Sequence, residues 1–118
     1  MNETQIEAGP ELDALVAREV MGWAPPDPAR QWAPEEWLDT TGSRDWPSYR
    51  AFSISYEGMG LVLERMQALG YAPSMRMWPT GWEVRFIVEW QIHEAAAATL
   101  PHAVALAALA AVRATTAP

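Results

Sequence analysis

The sequence predicts an α+β fold in which an antiparallel, hairpin-based sheet is packed by three helices. Three observations lead to this prediction. Apolar residues recur at three- and four-residue spacing in three stretches, they alternate with other residues between 82 and 90, and a Pro-Thr-Gly turn directly precedes that alternating stretch. The length of 118 residues is in the usual range for one domain, so we expect a single domain over 1–118 that begins with a flexible leader over 1–9.

The first helix is predicted between Pro10 and Gly22. Proline is favoured in the first turn of a helix, and the carboxylates of Glu11 and Asp13 lie where the helix dipole favours anions. Gly22 can adopt the left-handed backbone conformation that ends many helices. The apolar residues that share one side of this helix form its predicted buried stripe: Leu12, Leu15, Val16, Val20 and Met21.

A long connection, rich in proline and tryptophan, is predicted over 24–50. Disordered segments are poor in aromatic residues, so we expect this connection to wrap the domain and pack onto it. Two interpretations of its tryptophans, among them Trp37 and Trp46, are open. The indoles fill gaps in a small core, or they form a recognition surface, because tryptophan and arginine are enriched at binding hot spots.

The second helix is predicted over Ser53–Leu69, with Ser53 as the N-cap residue and Gly70 as the residue that ends it. Tyr71 is placed for the hydrophobic contact that often accompanies a glycine cap. Two positions inside the helix hold glycine, which is a poor helix former, and close packing against a neighbouring element would explain them. These positions are Gly58 and Gly60.

A β-hairpin follows, with strands over Ser74–Trp78 and Trp82–Trp90 and a turn over Pro79–Gly81. Side chains of a strand point alternately to its two faces, so the second strand has an apolar face and a more polar one. The apolar face holds Trp82, Val84, Phe86, Val88 and Trp90, and the other holds Glu83, Arg85, Ile87 and Glu89.

The predicted register of this hairpin pairs Trp78 with Glu83 across a four-residue loop. It places Arg76 opposite Arg85, and like charges directly opposite on a sheet are destabilising unless an anion or a carboxylate lies between them. On the apolar face the same register gives the pairs Met77 with Val84 and Met75 with Phe86.

The last helix is predicted from an N-cap at Thr99, through Pro101 in its first turn, to about Ala114. Its many alanines permit the close approach of a neighbouring backbone. The alanine-rich run 95–98 that precedes it does not have the composition of a flexible linker.

Four stretches of the chain carry a resemblance to a known family. They are residues 11–23, with the pattern Leu-Asp-Ala-Leu-Val…Met-Gly-Trp, Ser53 with the helix end 64–66, the strand around 82–86, and the helix around 99–109. In these residues and their order the chain resembles the phage ABA-sandwich domain, which is found in phage and prophage proteins. The resemblance implies an α-β-α layered sandwich and a phage context. It implies no catalytic site, because the family has no assigned catalytic residues.

The motifs of common enzyme classes do not fit the chain, so we expect a protein that is not an enzyme. A serine hydrolase of the elbow type needs a G-x-S-x-G motif, whose flanks Ser53 and Ser55 lack, and helix capping is the preferred interpretation of these serines. The stretch Gly58-Met59-Gly60 is not preceded by a strand and is followed by leucine at 63, where a dinucleotide-binding loop needs glycine. Helix packing explains it better.

Metal binding and acid–base chemistry are not indicated either. His93 and His102 are the only histidines, the chain has no cysteine, and no matching ligand pair accompanies them, so we expect no metal and no cofactor. Two carboxylate pairs are interpreted as solvated surface charge, or as partners of a neighbouring arginine. These pairs are Glu35 with Glu36, and Glu83 with Glu89.

The charge of the chain limits its partners. A formal net charge of −7 repels nucleic acid and anionic membranes at long range, so direct nucleic-acid binding is not expected. No apolar stretch approaches the roughly 18 residues of a membrane span, and the first seven residues lack the pattern of a secretory signal, so we expect a cytoplasmic protein in a bacterial host cell. All eight basic residues are arginine, which reflects either codon bias or selection for planar, forked donors.

The candidate ligand-binding site is the polar face of the hairpin. Arg76, Arg85 and Trp78 would lie together there, so that the arginines hold a phosphate by forked hydrogen bonds. Trp78, or Trp37 or Trp46 of the connection, would stack on a base. The alternatives are that neighbouring glutamates neutralise both arginines, or that a helix layer or another subunit covers this face.

Two functions are expected from these observations. The first is that of a non-catalytic phage accessory protein that binds a small anionic ligand, such as a nucleotide used as a defence signal. The second is that of a protein–protein interaction module, which docks on a host or phage protein or self-associates as a homo-oligomer through the outer face of the sheet.

Overall fold

Helices and antiparallel strands make up the structure, a computed structural model that describes residues 5–116. In this range there are four α-helices: α1 (Pro10–Leu15), α2 (Pro47–Arg50), α3 (Tyr56–Ala68) and α4 (Leu100–Thr116). A π-helical segment (Val16–Val20) continues α1. The described strands are β1 (Trp37–Leu38), β2 (Arg44–Asp45), β3 (Ala72–Trp78), β4 (Gly81–Val88) and β5 (Gln91–Ala97).

The predicted α+β class, with an antiparallel, hairpin-based sheet packed by helices, is confirmed. The strands β3, β4 and β5 form one antiparallel sheet in that order, and β1 and β2 form a small second one. Helix α4 packs against β4 and β5, while α3 and the π-helical segment pack against α4. The core therefore lies on one side of the larger sheet, where Val84 and Phe86 are fully buried.

Strand β5 is the strand of the larger sheet that the sequence does not predict. It contains a run of three alanines, a residue type that is depleted in strands, and its only large aliphatic side chain is Ile92. It pairs with β4 along the whole of its length, and this pairing stabilises a strand that its own residues do not favour. Ala95 and Ala97 pack against the core, and their small side chains let α4 approach the sheet closely.

The turn between β3 and β4 is shorter than predicted. It consists of Pro79 and Thr80 alone, so that Trp78 pairs with Gly81. Gly81 has a φ of +150°, and a Cβ at this position would lie 2.5 Å from the carbonyl oxygen of Ala97. Glycine is therefore required where β4 begins, and its position fixes the register of the hairpin.

The predicted register is wrong by two residues. Arg76 lies opposite Glu83, and Arg85 lies opposite Ser74, so the two arginines are diagonal neighbours instead of direct partners. The predicted apolar pairs change in the same way, because Met75 lies opposite Val84 and Met77 opposite Trp82. Since the shift is even, the side chains of β3 and β4 keep their predicted faces. Glu89 and Trp90, which were predicted in the second strand, lie instead in the turn between β4 and β5, where Trp90 is 97% exposed.

The first helix begins at Pro10 and ends before Gly22, as predicted. Gly22 has a φ of +75°, which is the left-handed conformation expected of it. The second half of the helix is π-helical, and the N–H of Met21 bonds to the carbonyl of Val16 at 2.9 Å. Three residues of the predicted stripe are fully buried and two are half-buried: Leu12, Val16 and Val20 in the first group, and Leu15 and Met21 in the second.

The prediction that Ser53 caps the second helix is wrong. Helix α3 begins at Tyr56, and its N-cap residue is Ser55, whose Oγ accepts a hydrogen bond from the N–H of Gly58 at 2.9 Å. Ser53 is fully buried and is bonded to Asp13 instead. A partner 40 residues away thus replaces the local partner that the sequence suggests.

The predicted end of this helix is confirmed. Gly70 has a φ of +97°, and its N–H bonds to the carbonyl of Gln67 at 3.0 Å. The N–H of Tyr71 bonds to the carbonyl of Met66, also at 3.0 Å, which completes a Schellman motif. Tyr71 is buried, and its ring meets the ring of Phe86 edge-on at 6.4 Å between centroids.

Close packing explains one of the two glycines inside α3. A Cβ at Gly58 would lie 2.4 Å from the carbonyl oxygen of Arg50 and 2.8 Å from that of Ala51. At Gly60 a Cβ would have no heavy atom within 4 Å, so packing does not explain this glycine and that part of the prediction is wrong.

The connection over 24–50 is more regular than its composition indicates, since β1, β2 and α2 all lie within it. Ala24 forms an isolated bridge to Leu38, and Trp37 packs, half-buried, against the core. The connection therefore lies against the fold along part of its length.

Residues 1–4 of the predicted leader lie outside the described residues, and the rest of it contacts the fold. The Nε2 of Gln5 donates a hydrogen bond to the carbonyl of Ala96 at 3.1 Å. The carbonyl oxygen of Ile6 lies 2.7 Å from Nε2 of His102, and the Ile6 side chain packs against the core. These contacts join the start of the described chain to β5 and α4.

Candidate functional site

The structure separates the five predicted ligand-binding residues into two groups, three in the larger sheet and two in the connection. Arg76, Arg85 and Trp78 lie on the face of the larger sheet opposite the buried side chains of Val84 and Phe86. We call this surface the outer sheet face. It is formed by side chains that are all exposed or half-buried: Ser74, Arg76, Trp78, Glu83, Arg85, Ile87, Ile92, Glu94 and Ala96.

Two glutamates surround Arg85 at the centre of the outer sheet face. Its Nε lies 2.9 Å from an Oε2 of Glu94, its partner on β5, and its Nη2 lies 3.5 Å from Oε1 of Glu83. The expectation that neighbouring glutamates neutralise the arginines of this face therefore holds for Arg85, and Glu94 is the nearer of its two carboxylates. Glu89, which the sequence suggests for this role, lies in the turn before β5 with a φ of +53°.

Arg76 has a different environment from Arg85. Its guanidinium carbon lies 5.3 Å from the centroid of the Trp78 ring, which is a cation–π distance. Both side chains are exposed. The structure therefore brings together Arg76 and Trp78 as predicted. Both side chains lie on the outer sheet face of β3, which is the strand at one edge of the sheet.

The space between the two arginines is small. Ser74, Arg76, Glu83 and Arg85 surround a depression of about 20 Å³. This is room for one water molecule. The depression holds two guanidinium groups, one hydroxyl and one carboxylate, so it can contact an anionic group of a partner at the surface but does not enclose a base.

Trp37 and Trp46 do not line this depression. Trp37 lies in β1 opposite Asp45, and Trp46 is the N-cap residue of α2, where its N–H donates to Oδ1 of Asp45 at 2.8 Å. The Nη2 of Arg50 pairs with the same carboxylate at 2.9 Å. These tryptophans thus belong to the folded connection and flank an ion pair whose carboxylate is buried and whose guanidinium is exposed.

A second surface, which we call the loop groove, is formed by the connection itself. Its volume is about 490 Å³, and the side chains that line it include Arg30, Trp32, Glu36 and Arg44. Trp32 is 89% exposed. Sequence reasoning did not separate Trp32 from the other tryptophans, because the amount of contact that each one makes depends on the path of the connection.

The arginines of the loop groove are engaged with the connection. Arg30 donates to the carbonyl oxygens of Ala33 and Glu36 at 3.1 and 2.7 Å, and to that of Pro25. Arg44 pairs with the Glu36 carboxylate at 3.1 Å. Arg30 therefore satisfies the carbonyls of the loop, while the more exposed Arg44 is the cation that a ligand in the groove would meet.

Two carboxylates have pKa values below their ordinary range. A hydrogen bond from Arg113 is the main cause for Glu19, and a hydrogen bond from the Thr41 hydroxyl is the main cause for Asp39. Both lie outside the outer sheet face. In the part of the chain that the structure describes, no group of three or more His, Cys, Asp or Glu side chains is arranged to hold a metal ion.

None of the helices described here is long and apolar enough to cross a membrane. The two histidines have separate partners. His93 lies 3.3 Å from the side chain of Gln91, and His102 contacts the carbonyl of Ile6.

Comparison with known proteins adds one likeness. No protein-family model and no curated protein matches the sequence. Among solved structures, the fold is similar to that of a phage protein from Bacillus cereus ATCC 14579, with a TM-score of 0.66 and 18% sequence identity over 93% of this chain and 96% of that one. At this identity the likeness shows a common fold. Membership of the ABA-sandwich family remains a prediction from the residues that carry the resemblance.

Proposed function

We propose that this chain is a non-catalytic phage accessory protein that binds a protein partner through its outer sheet face, in the cytoplasm of a bacterial host. One observation carries the proposal: no described helix covers this face, although it exposes Trp78, Arg76 and Ile92. Tryptophan and arginine are the residue types that contribute most often to binding hot spots.

The arrangement of the outer sheet face suits a protein surface. Trp78 lies at one end of the sheet, the opposed pair of Ile87 and Ile92 lies at the other end, and the ion pairs of Arg85 lie between them. Apolar contacts combined with satisfied polar groups are typical of protein–protein interfaces. We therefore expect a partner that offers two apolar depressions and an acceptor for Arg76.

The size of the depression beside Arg76 favours a protein over a small ligand on this face. Ligand pockets commonly measure about 300–1,000 Å³, whereas this depression measures about 20 Å³. Arg85 is also engaged by two carboxylates, which would compete with an incoming anion.

Two independent features support the phage assignment. The fold is similar to that of the Bacillus cereus phage protein along nearly all of both chains. The sequence pattern over 11–23, which forms α1, the π-helical segment and the residues up to Trp23, carries the resemblance to a domain of phage proteins. The two features rest on different observations, one on the backbone and one on the local sequence.

Quantitative affinity capture from infected host cells tests the binding proposal. The bait proteins are the unmodified chain, Trp78→Ala, Ile92→Ser and the control Trp32→Ala, which removes a more exposed indole from another surface. We expect one bacterial or phage protein to be captured by the unmodified chain and by Trp32→Ala, and to be lost with both outer-face variants. Equal capture by all four baits would show that the partner does not use this face.

The loop groove supports a second candidate function, the binding of a small anionic ligand. It is about 490 Å³ in volume, and it combines the exposed indole of Trp32 with the guanidinium of Arg44. Calorimetric titration with mono-, di- and cyclic nucleotides tests this candidate. Heat that disappears with Trp32→Ala but persists with Trp78→Ala would assign the ligand to the groove, and the absence of heat for every nucleotide would dismiss it.

A further inference from the structure

Strand β3 is an edge strand whose outer edge is not covered by any residue between 5 and 116. Within this range it pairs only with β4, and all seven of its residues are exposed. At the other edge of the sheet, the side chain of Gln5 bonds to the carbonyl of Ala96. Natural proteins usually protect a long exposed edge, because its free N–H and C=O groups pair readily with another strand. The free edge of β3 therefore requires an explanation.

Pro73 shows which backbone groups point to the free edge. It lies within the β3–β4 ladder, opposite Phe86. Proline has no N–H, so it is tolerated in an edge strand where that position faces away from the neighbouring strand. Backbone groups alternate in direction along an antiparallel strand, so Met75 and Met77 also direct their N–H and C=O groups outward. Ser74 and Arg76 direct theirs to β4.

We propose that β3 pairs with β3 of a second copy of this chain, antiparallel and centred on Met75, and that the two sheets become one sheet of six strands. Outward-directed residues must face each other, so a pair combines two residues from the set Pro73, Met75 and Met77. In the proposed register Met75 faces its own copy and Met77 faces Pro73 of the second copy. Met75 is the middle residue of β3, so all seven residues find a partner.

Hydrogen bonding is nearly complete in this register. The two Met75 residues exchange both of their N–H···O=C bonds, and the N–H of each Met77 donates to the carbonyl of the opposite Pro73. The missing N–H of Pro73 leaves only the Met77 carbonyls without a backbone donor in the new ladder. Proline therefore removes one donor from each end of the interface and leaves its centre intact.

Side-chain charge favours the register centred on Met75 over the register centred on Arg76. A dimer centred on Arg76 would satisfy the same backbone rule, but it would place two arginines directly opposite each other, which is destabilising. Centring on Met75 places Arg76 opposite Ser74 of the second copy. The stretch 65–82 has no acidic residue in a chain of net charge −7, so two copies meet here with little repulsion from carboxylates.

Apolar contact adds to the pairing. The side chains of Met75 and Met77 are 38% and 69% exposed in the single chain and lie on the same face of β3 as the inward side chains of the sheet. In the dimer each Met75 packs on its copy, and Met77 packs on Pro73. The pairing is isologous, so it closes at two copies, since each copy has only one β3 edge.

Introduced cysteines test the register directly, because the chain has no cysteine of its own. In the proposed register the two Met75 residues form a hydrogen-bonded antiparallel pair, whose Cα atoms are about 5.5 Å apart, and this distance suits a disulfide. Met75→Cys should therefore form a cross-linked dimer almost completely under mild oxidation. In Met77→Cys each new cysteine faces Pro73 of the second copy. The two cysteines are therefore offset by four residues, or about 13 Å, along the strands, so little cross-linking is expected.

Met77→Cys is a stringent control for Met75→Cys, because Met77 is more exposed than Met75. Random collision between molecules would cross-link Met77→Cys at least as readily as Met75→Cys. Equal cross-linking of both variants, or preferential cross-linking of Met77→Cys, would overturn the proposal.

Sedimentation velocity over a concentration series tests the dimer without cross-linking. The unmodified chain should dimerise reversibly, Met75→Glu should be monomeric because two carboxylates face each other, and Ser74→Glu should dimerise more tightly because each carboxylate faces Arg76 of the other copy. Circular dichroism verifies that each variant is folded. A folded unmodified chain that stays monomeric at every soluble concentration would refute the dimer. This test is independent of the proposed function, since affinity capture reads the outer sheet face and not the β3 edge.

Discussion

The carboxylate of Asp13 accepts two hydrogen bonds from Ser53, one from the main-chain N–H and one from the hydroxyl, each at 2.7 Å. The Ser53 hydroxyl oxygen in turn accepts a bond from the N–H of Gly9 at 2.9 Å. Asp13 and Ser53 are both almost completely buried. This network joins the start of α1 to the segment that leads into α3.

Asp13→Ala should lower the free energy of unfolding by about 3 kcal/mol, because it leaves the buried N–H and hydroxyl of Ser53 without their acceptor. Glu11→Ala is the control. It removes an acidic residue from the same first turn of α1, but from an exposed position. Urea denaturation measures both variants, and equal losses would show that helix-dipole charge, not the network, is responsible.

Gly58→Ala should destabilise the fold strongly, by more than about 2 kcal/mol, because the new Cβ would lie 2.4 Å from a backbone carbonyl oxygen. Gly60→Ala should instead stabilise it by up to about 1 kcal/mol, because alanine is the better helix former and no heavy atom lies within 4 Å of its Cβ. Thermal unfolding of the two variants should give shifts of opposite sign. Two shifts of the same sign would contradict the described packing of α3 against residues 50–52.

Ala51→Gly should stabilise the chain by about 1 kcal/mol. Ala51 follows α2 with a φ of +51°, a left-handed conformation that is unfavourable for a residue with a Cβ. Ala68→Gly, in the exposed last turn of α3, should destabilise it by a similar amount because glycine is a poor helix former. Chemical denaturation compares the two, and a loss of stability in Ala51→Gly would contradict the strain inferred at that position.

The ion pair of Glu19 with Arg113 should make a pH-dependent contribution to stability. A hydrogen bond from Arg113 is the main cause that lowers the pKa of Glu19 from its ordinary value of 4.5. A carboxyl whose pKa is lowered by folding stabilises the folded state above its unfolded pKa, and this contribution is lost as the pH falls through the folded value. The Arg113 side chain is 48% exposed, so we expect less than about 1 kcal/mol.

Denaturation of Glu19→Gln and the unmodified chain between neutral pH and pH 3 measures this contribution. The two stability curves should be separated at neutral pH, begin to converge as the pH falls below about 4.5, and meet below the lowered pKa of Glu19. A separation that stays constant to the lowest pH would show that the ion pair is not its source.

Local signals in the sequence predicted the extent of the first helix and the C-terminal end of α3, because these ends depend on neighbouring residues. Gly70 and Tyr71 form the predicted C-terminal motif with residues three to five positions earlier. The prediction that Ser53 is an N-cap residue was wrong, since its partner Asp13 is 40 residues away. Strand β5 was missed for the same reason: its alanines favour a strand only in the presence of β4 and α4.

In the candidate site, too, the features that depend on neighbouring residues were predicted and those that depend on distant residues were not. Alternation along the strands predicted which face Arg76, Trp78 and Arg85 occupy, and the structure agrees. The pairing of Arg85 with Glu94 depends on the unpredicted strand β5, so that glutamate was not identified from the local sequence. The separation of Trp37 and Trp46 from the hairpin depends on the path of the connection, which local composition does not encode.

The position of α4 at the end of the described chain sets an order for folding during synthesis. The π-helical segment packs on α4, Ile6 contacts His102, and Glu19 pairs with Arg113. The apolar side of the first helix therefore emerges from the ribosome long before the helix that covers it. Strands β3 to β5 are consecutive and can pair as soon as they are made, whereas the amino-terminal part must wait for α4 before its core is closed.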